Sequence, residues 1–226
     1  MAVLYIIGTP IGNLGDLSFR AVEILKSANL IACEDTRQTL KLLNHFDIHV
    51  PLLSCRAQNE EAAAAKVVAA LNKEKAVAYA SDAGTPSLSD PGAVLVSAAS
   101  AAGHEVIPIP GASAFAALVS VAGARDKTVI FEGFLSPKPG RRRKRLQELL
   151  DSSWAFVLYE SPFRIIKLLE DLADLDCERY ICVGREMTKI HEEYKRGPAE
   201  EILAFFAKKE RQMGEFTVFV SGQNRK

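Results

Sequence analysis

The stretch Ala76-Val-Ala-Tyr-Ala-Ser-Asp-Ala-Gly-Thr-Pro-Ser-Leu-Ser-Asp-Pro-Gly92 decides how this chain is read. Residues 76–80 form a short, bounded apolar run of the kind that makes a buried parallel strand. Small, polar, turn-forming residues follow. Pro91 and Gly92 then open an apolar run over residues 93–102, which predicts a helix with Asp90 near its N-cap. Strand, loop and helix in that order put the loop at the strand's carboxyl end, where open α/β sheets bind ligands. Gly84 lets a ligand approach the backbone closely. Asp82 offers a carboxylate to a hydroxyl or a cation.

The same alternation extends outward in both directions. Strands are predicted over residues 3–7, 30–33 and 50–53, and helices over 19–28 (capped by Ser18), 39–46 and 60–71. A fifth strand over 105–109 and a small-residue helix over 114–122 complete the pattern. Regular alternation predicts an α/β domain with a mostly parallel sheet over residues 1–122. The style then changes. Strands over 128–131, 154–159, 179–183, 191–195 and 216–221 and helices over 142–150, 163–173 and 199–208 mix crossovers with hairpins. A second α/β domain with a mixed sheet is expected over residues 123–226.

Composition excludes several classes. The 226 residues are 48% hydrophobic and 25% charged, as in a soluble globular protein. The formal net charge is zero, so no global field favours nucleic acid, and any such preference must come from local patches. No apolar segment approaches the roughly 20 residues of a membrane span. The N-terminus lacks a basic region and reads as a first strand, not a signal peptide. Cys33, Cys55, Cys177 and Cys182 match no zinc spacing, so no metal is expected, and reduced, mostly structural thiols in a cytoplasmic protein are the reading. Gly-x-Gly occurs nowhere, which removes the dinucleotide fingerprint. The P-loop and the nucleophile elbow are absent too.

What remains is a set of polar motifs at strand ends. Gly8-Thr-Pro-Ile-Gly-Asn13, Glu34-Asp-Thr-Arg37, Ser81-Asp-Ala-Gly-Thr-Pro86 and Pro110-Gly-Ala-Ser113 follow the first, second, fourth and fifth strands. Glu160-Ser-Pro162 and Arg185-Glu-Met-Thr-Lys189 lie in the second half. One ligand cleft between the two halves would use them all. The chain has one charge run, Pro137-Lys-Pro-Gly-Arg-Arg-Arg-Lys-Arg145, with Gly140 leaving it flexible. By default it is a solvated face; its density of Lys138, Arg141, Arg142, Arg143, Lys144 and Arg145 equally suits RNA phosphates.

Taken in order, Gly8 to Asn13, Glu34 to Arg37, Ser81 to Pro86 with Ser89-Asp-Pro-Gly92, Glu132-Gly-Phe134, Gly140 to Arg143, Tyr159-Glu-Ser-Pro162 and Glu186 to Lys189 resemble the ribosomal RNA small subunit methyltransferase I family of the tetrapyrrole methylase (class III) superfamily. The resemblance spans nearly the whole chain. It implies two α/β domains with S-adenosylmethionine between them, a homodimer, and 2′-O-methylation of a cytidine ribose in small-subunit (16S) rRNA. It places cofactor contacts at Pro10, Asp82, Ala83, Gly84, Ser113 and Ala114, and at Tyr159, Glu160 and Met187 in the second domain. The family usually carries His-x-His-Asn after the third strand; here Arg56-Ala-Gln-Asn59 stands there. Gly111-Ala-Ser113 replaces the usual Gly-Pro-Ser, and Gln38 a common histidine.

A ribose hydroxyl is a poor acid, so a base should assist its methylation. Glu34 and Asp35 are the candidate bases, with Arg37 and Lys189 as phosphate clamps. Two other functions fit parts of the pattern: methylation of a tetrapyrrole, against which the basic run argues, and a non-catalytic RNA-binding role in ribosome assembly.

Overall fold

The computed structural model describes residues 2–123 and 125–222. The chain divides into two compact units, Met1–Ser113 and Ala114–Lys226.

The first unit is a five-stranded, all-parallel sheet in the order β3-β2-β4-β1-β5, formed by β1 (Val3–Ile7), β2 (Leu30–Cys33), β3 (Leu52–Ser54), β4 (Val77–Ala80) and β5 (Glu105–Ile109). Successive side chains of a strand point to opposite faces, and each face has its own core. Val77 and Tyr79 pack with Ala63, Val67 and Leu71 of α3 (Glu60–Leu71) and Leu95 and Ala99 of α4 (Ala93–Ala101). Ala78 and Ala80 pack with Ala21 and Leu25 of α1 (Phe19–Ser27) and Leu43 of α2 (Thr36–His45). The chain therefore leaves β1 toward one face and leaves β4 toward the other. Adjacent strands whose connections part in this way open a crevice at their carboxyl ends.

The N-terminus of α4 corrects the expected cap. Gly92, not Asp90, is the N-cap residue, and its side chain has nothing to offer. Glu60 supplies the carboxylate from α3 instead: its Oε1 accepts from the amides of Gly92 (2.7 Å) and Val94 (3.1 Å). This satisfies two orphan donors and sets a negative charge at the positive end of the helix.

The second unit is a mixed sheet in the order β6-β7-β10-β8-β9. Its strands are β6 (Val129–Phe134), β7 (Ala155–Glu160), β8 (Tyr180–Arg185), β9 (Glu193–Pro198) and β10 (Phe216–Val220). Only β6 and β7 pair in parallel. Helices α6 (Pro139–Asp151), α7 (Ile165–Leu175) and α8 (Ala199–Phe206) bury one face, with Leu146, Leu168, Leu172, Ile202 and Phe206 packed on Phe156, Ile181 and Val183.

The boundary falls one helix earlier than expected. Helix α5 (Ala114–Ala122) lies against β8 and β10. A Cβ on Gly184 would come within 3.0 Å of Leu118. The carbonyls of Val121 and Ala122 accept from Arg196 Nε (2.8 Å) and Tyr180 Oη (2.9 Å). The change in sequence style marks the start of new strands, but packing assigns the helix before it to the same body. Among the described residues no helix is long and apolar enough to cross a membrane.

The basic run is ordered into α6, and helical spacing divides it. Arg142 lies in register with Leu146, Leu149 and Leu150 on the buried face and is 4% exposed. Its Nε meets Asp171 Oδ2 of α7 at 2.7 Å. Arg143 reaches Asp171 (3.4 Å) and Asp174 (3.1 Å). Arg145 grips both carboxylate oxygens of Glu132 at 2.8 Å and also meets Glu148. Removing one partner of a buried pair strands the other charge. Asp171→Ala is therefore expected to cost about 3–5 kcal/mol of second-unit stability, whereas exposed Arg141→Ala should stay within about 0.5 kcal/mol. Urea unfolding followed by fluorescence of Trp154, the chain's single tryptophan, checks both; equal midpoints would show that the pair contributes nothing.

Candidate active site

Three loops of the first unit are stitched together where β1, β4 and β5 end. The Thr9 amide donates to the Gly84 carbonyl (2.9 Å), and the Gly84 amide donates back to the Thr9 carbonyl (3.1 Å). Thr9 Oγ1, itself buried, donates to the Ser81 carbonyl (3.2 Å), and Ser81 Oγ donates to that of Gly84 (3.2 Å). Thr85 Oγ1 ties this loop to the Ala112 carbonyl after β5 (3.2 Å). Gly8 and Gly111 meet backbone to backbone: a Cβ on Gly8 would lie 2.7 Å from the Gly111 nitrogen. Only glycine permits such an approach.

Gly84 was expected to be small so that a ligand could approach. The structure gives a nearer reason. Its φ is +83°, a region that side chains disfavour, and a Cβ would also meet Ile11 Cγ2 at 3.3 Å. Of the sequence candidates on this platform, Pro10 and Gly84 are buried, Asp82 and Ala83 are exposed, and Ser113 is half-buried. Thr9, which holds the platform together through its main chain and its hydroxyl, was not singled out from the sequence. Its role depends on a partner 75 residues away in the chain.

The ends of β2 and β4 carry the acidic groups. The Asp35 amide donates to Asp82 Oδ1 (2.9 Å), so the two loops share a hydrogen bond. Asp35 is the N-cap of α2, which starts at Thr36 and so earlier than the sequence predicts. Its carboxylate accepts from the Arg37 amide (2.9 Å), from Arg37 Nε (3.1 Å) and from Arg37 Nη2 (2.8 Å). These bonds from Arg37 hold Asp35 well below the usual carboxylate range. Such a carboxylate is a weak proton acceptor. Arg37 is correspondingly occupied.

Glu34, one residue earlier, has the opposite environment. Burial comes first and the nearby charges of Asp82 and Asp90 second, and together they push its carboxyl up. Burial and Asp82 likewise push Asp90 up. Arg56 offsets part of the effect on Glu34; its Nε donates to the Glu34 carbonyl at 3.3 Å. Among the described residues Arg56 makes no salt bridge, and it is exposed, which leaves it the freer guanidinium beside Glu34. Adjacent carboxylates driven apart in pKa are a recurring mark of assigned acid–base roles.

In the second unit the remaining candidates have structural partners. Glu160 is buried, and its Oε1 meets Arg164 Nη2 (2.7 Å) and the Ser161 amide (2.8 Å). Tyr159 Oη accepts from the Phe115 amide (3.1 Å) next to Ala114, and its ring meets Phe131 and Phe134 edge-on. Met187 is buried against Gly184. Lys189 Nζ already binds Glu186 (2.9 Å) and Glu215 (2.8 Å), so it is not a free clamp. Arg142, Arg143 and Arg145 are likewise committed to carboxylates within the fold. Lys138, Arg141 and Lys144 are exposed and make no salt bridge among the described residues. They are the part of the basic run that can meet phosphates.

The family model "Tetrapyrrole (Corrin/Porphyrin) Methylases" matches residues 3–203. A protein of Borrelia garinii subsp. bavariensis named "Ribosomal RNA small subunit methyltransferase I" is 49% identical over 97% of this chain and 98% of its own. Thermotoga maritima has one of the same name, 42% identical over 99% of this chain and 100% of its own. Among solved structures, uroporphyrin-III-C-methyltransferase from Thermus thermophilus superposes with a TM-score of 0.66 over 98% of this chain and 95% of that one, at 16% identity, which establishes the shared fold. Tetrapyrrole methylases draw their methyl group from S-adenosylmethionine, and the acidic ends of β2 and β4 suit that cationic donor. The motifs, the two-unit architecture and these similarities together show that the chain belongs to the ribosomal RNA small subunit methyltransferase I family of the tetrapyrrole methylases.

Proposed function

We propose that this chain is an S-adenosylmethionine-dependent methyltransferase of small-subunit ribosomal RNA, acting in the cytoplasm as a homodimer on the 2′-hydroxyl of a cytidine ribose. The observation that carries the reading is the 49% identity, over almost the full length of both chains, to a relative that bears the ribosomal RNA name. The three unpaired cations of α6 support it, since a macrocyclic small molecule needs no such stripe.

The residues present fit the methyl donor. The exposed carboxylate of Asp82 suits its ammonium or ribose hydroxyls, and Pro10, Ala83, Gly84 and Ser113, on loops at the ends of β1, β4 and β5, are small enough to leave room for it. When bound, S-adenosylmethionine supplies an electrophilic methyl group on a sulfonium, whose transfer to an oxygen leaves a neutral thioether. The protein's task is then alignment and proton removal, and alignment alone can lower a barrier by roughly 7–11 kcal/mol. We assign proton removal to Glu34. Its raised affinity for a proton makes it a better base than Asp35, which caps α2 and orients Arg37.

A single-turnover methylation assay on assembled small subunits tests this assignment. Glu34→Gln should lose about 10²–10⁴-fold in rate, with cofactor affinity by calorimetry unchanged, while Asp35→Asn should stay within about threefold. The base must be ionised. The wild-type rate should therefore fall as pH drops through a midpoint above the ordinary glutamate value of about 4.3, and Glu34→Gln should lack that limb. Two variants alike in rate would remove Glu34 from the chemistry. Transfer that survives ribonuclease treatment of the substrate would remove RNA.

The basic stripe has its own readout. Each phosphate contact on a single strand contributes about 0.7 to the log–log salt slope. Replacing Lys138, Arg141 and Lys144 together with Ala should lower the slope by up to about 2 and leave cofactor affinity intact. An unchanged slope would make the stripe an ordinary solvated face. For the homodimer, sedimentation at micromolar concentration should give about twice the 24.6 kDa chain mass; a clean single-chain species would end that proposal.

A further inference from the structure

Two exposed aromatic rings stand where the basic run begins. Phe134 closes β6 and is 57% exposed, with one edge on Tyr159 at 5.8 Å between ring centroids. Phe163 is 90% exposed. It directly precedes Arg164, whose Nη1 donates to the Leu135 carbonyl at 3.3 Å. That bond holds the turn before α7 against the residue that follows Phe134. From Leu135 the chain passes through Ser136 and Pro137 into the first turn of α6. There Lys138 is the N-cap residue and makes no side-chain cap hydrogen bond. The end of β6, the start of α6 and the turn before α7 thus converge in one place. Water-exposed phenylalanine has no hydrogen bond to gain there, and while Leu135 and Ile165 beside these rings join the core, Phe134 and Phe163 stay outside it.

We propose that Phe163 and Phe134 form a stacking platform for unpaired bases of single-stranded RNA, whose phosphates are met by Lys138, Arg141 and Lys144. The proposal rests on the ribosomal RNA reading above. Aromatic side chains interleaved with unpaired cations are the chemistry that holds single strands, because every base has a face to stack and each linkage a charge to neutralise. A duplex hides its base faces, so the rings select unpaired RNA. A membrane surface fits less well. The arginines of α6 that do make ion pairs are met by Glu132, Glu148, Asp171 and Asp174, so this side of the unit is not the uniformly basic face that a continuous anionic sheet would favour.

The test uses the full chain and a labelled, unstructured oligoribonucleotide of about ten nucleotides, within the usual span of such sites, with its duplex as the comparison. Wild type should bind the single strand more tightly than the duplex. Phe163→Ala should weaken single-strand binding by about 5–150-fold, the worth of one base–aromatic stack, with the salt slope unchanged because no phosphate contact is lost. Phe163→Trp should retain affinity, and Phe134→Ala should behave like Phe163→Ala. Alanine variants that bind like a wild type able to bind and methylate RNA would overturn the platform alone. So would a Phe163→Ala chain that sediments as a monomer, or Phe163-dependent binding to anionic phosphatidylserine vesicles. A wild type that neither binds the oligonucleotide nor methylates small subunits would overturn the platform together with the reading beneath it.

Discussion

The pair of backbone hydrogen bonds between Thr9 and Gly84 holds the site together. It joins the loops after β1 and β4, which are neighbours in the sheet but 75 residues apart in the chain. Because the join uses main-chain groups, the side chains of Asp82 and Ala83 are left facing solvent. Buried backbone donors and acceptors must be satisfied somewhere, and here their pairing fixes where the exposed groups stand. The contact of Gly8 with Gly111 adds the loop after β5 on the same principle. Any side chain at either position would push these loops apart.

A second constraint is how charge is distributed over neighbouring residues of one type. Glu34 and Asp35 are adjacent carboxylates at one strand end, yet burial and like charges raise one while Arg37 lowers the other. The six basic residues of the run at α6 divide in the same way. Three are held by carboxylates within the fold and three face water. A guanidinium already paired is a poor ligand for a phosphate, since a new bond replaces an old one. Counting charges along the chain therefore overstates the number of free cations in this run about twofold, in line with the general finding that ion pairs must be read in their setting.

The thiols follow the same logic in the opposite direction. Cys33, Cys55 and Cys182 are buried, and burial pushes Cys55 and Cys182 up to about 11. A thiol kept protonated is neither a nucleophile nor a metal ligand. That agrees with the reading of these three as structural residues; Cys177 is exposed and is not part of a core.

The sequence by itself determined the fold class, the first sheet's strands and the loops that carry the site. Those features are local: a bounded apolar run, a turn residue and a helix start can each be read within about ten positions. Gly84, Asp82 and Glu34 were all singled out in this way, from their positions at strand ends. It could not show that α5 packs with the second unit, that Glu60 caps α4, or that Asp171 neutralises Arg142. Nor could it separate Glu34 from Asp35, or show Phe163 bare and Arg37 occupied. Each of these depends on what another segment brings within a few ångströms. Hydrogen bonds and burial act at contact distance, so the tertiary structure alone decides which of two like residues is free to do chemistry.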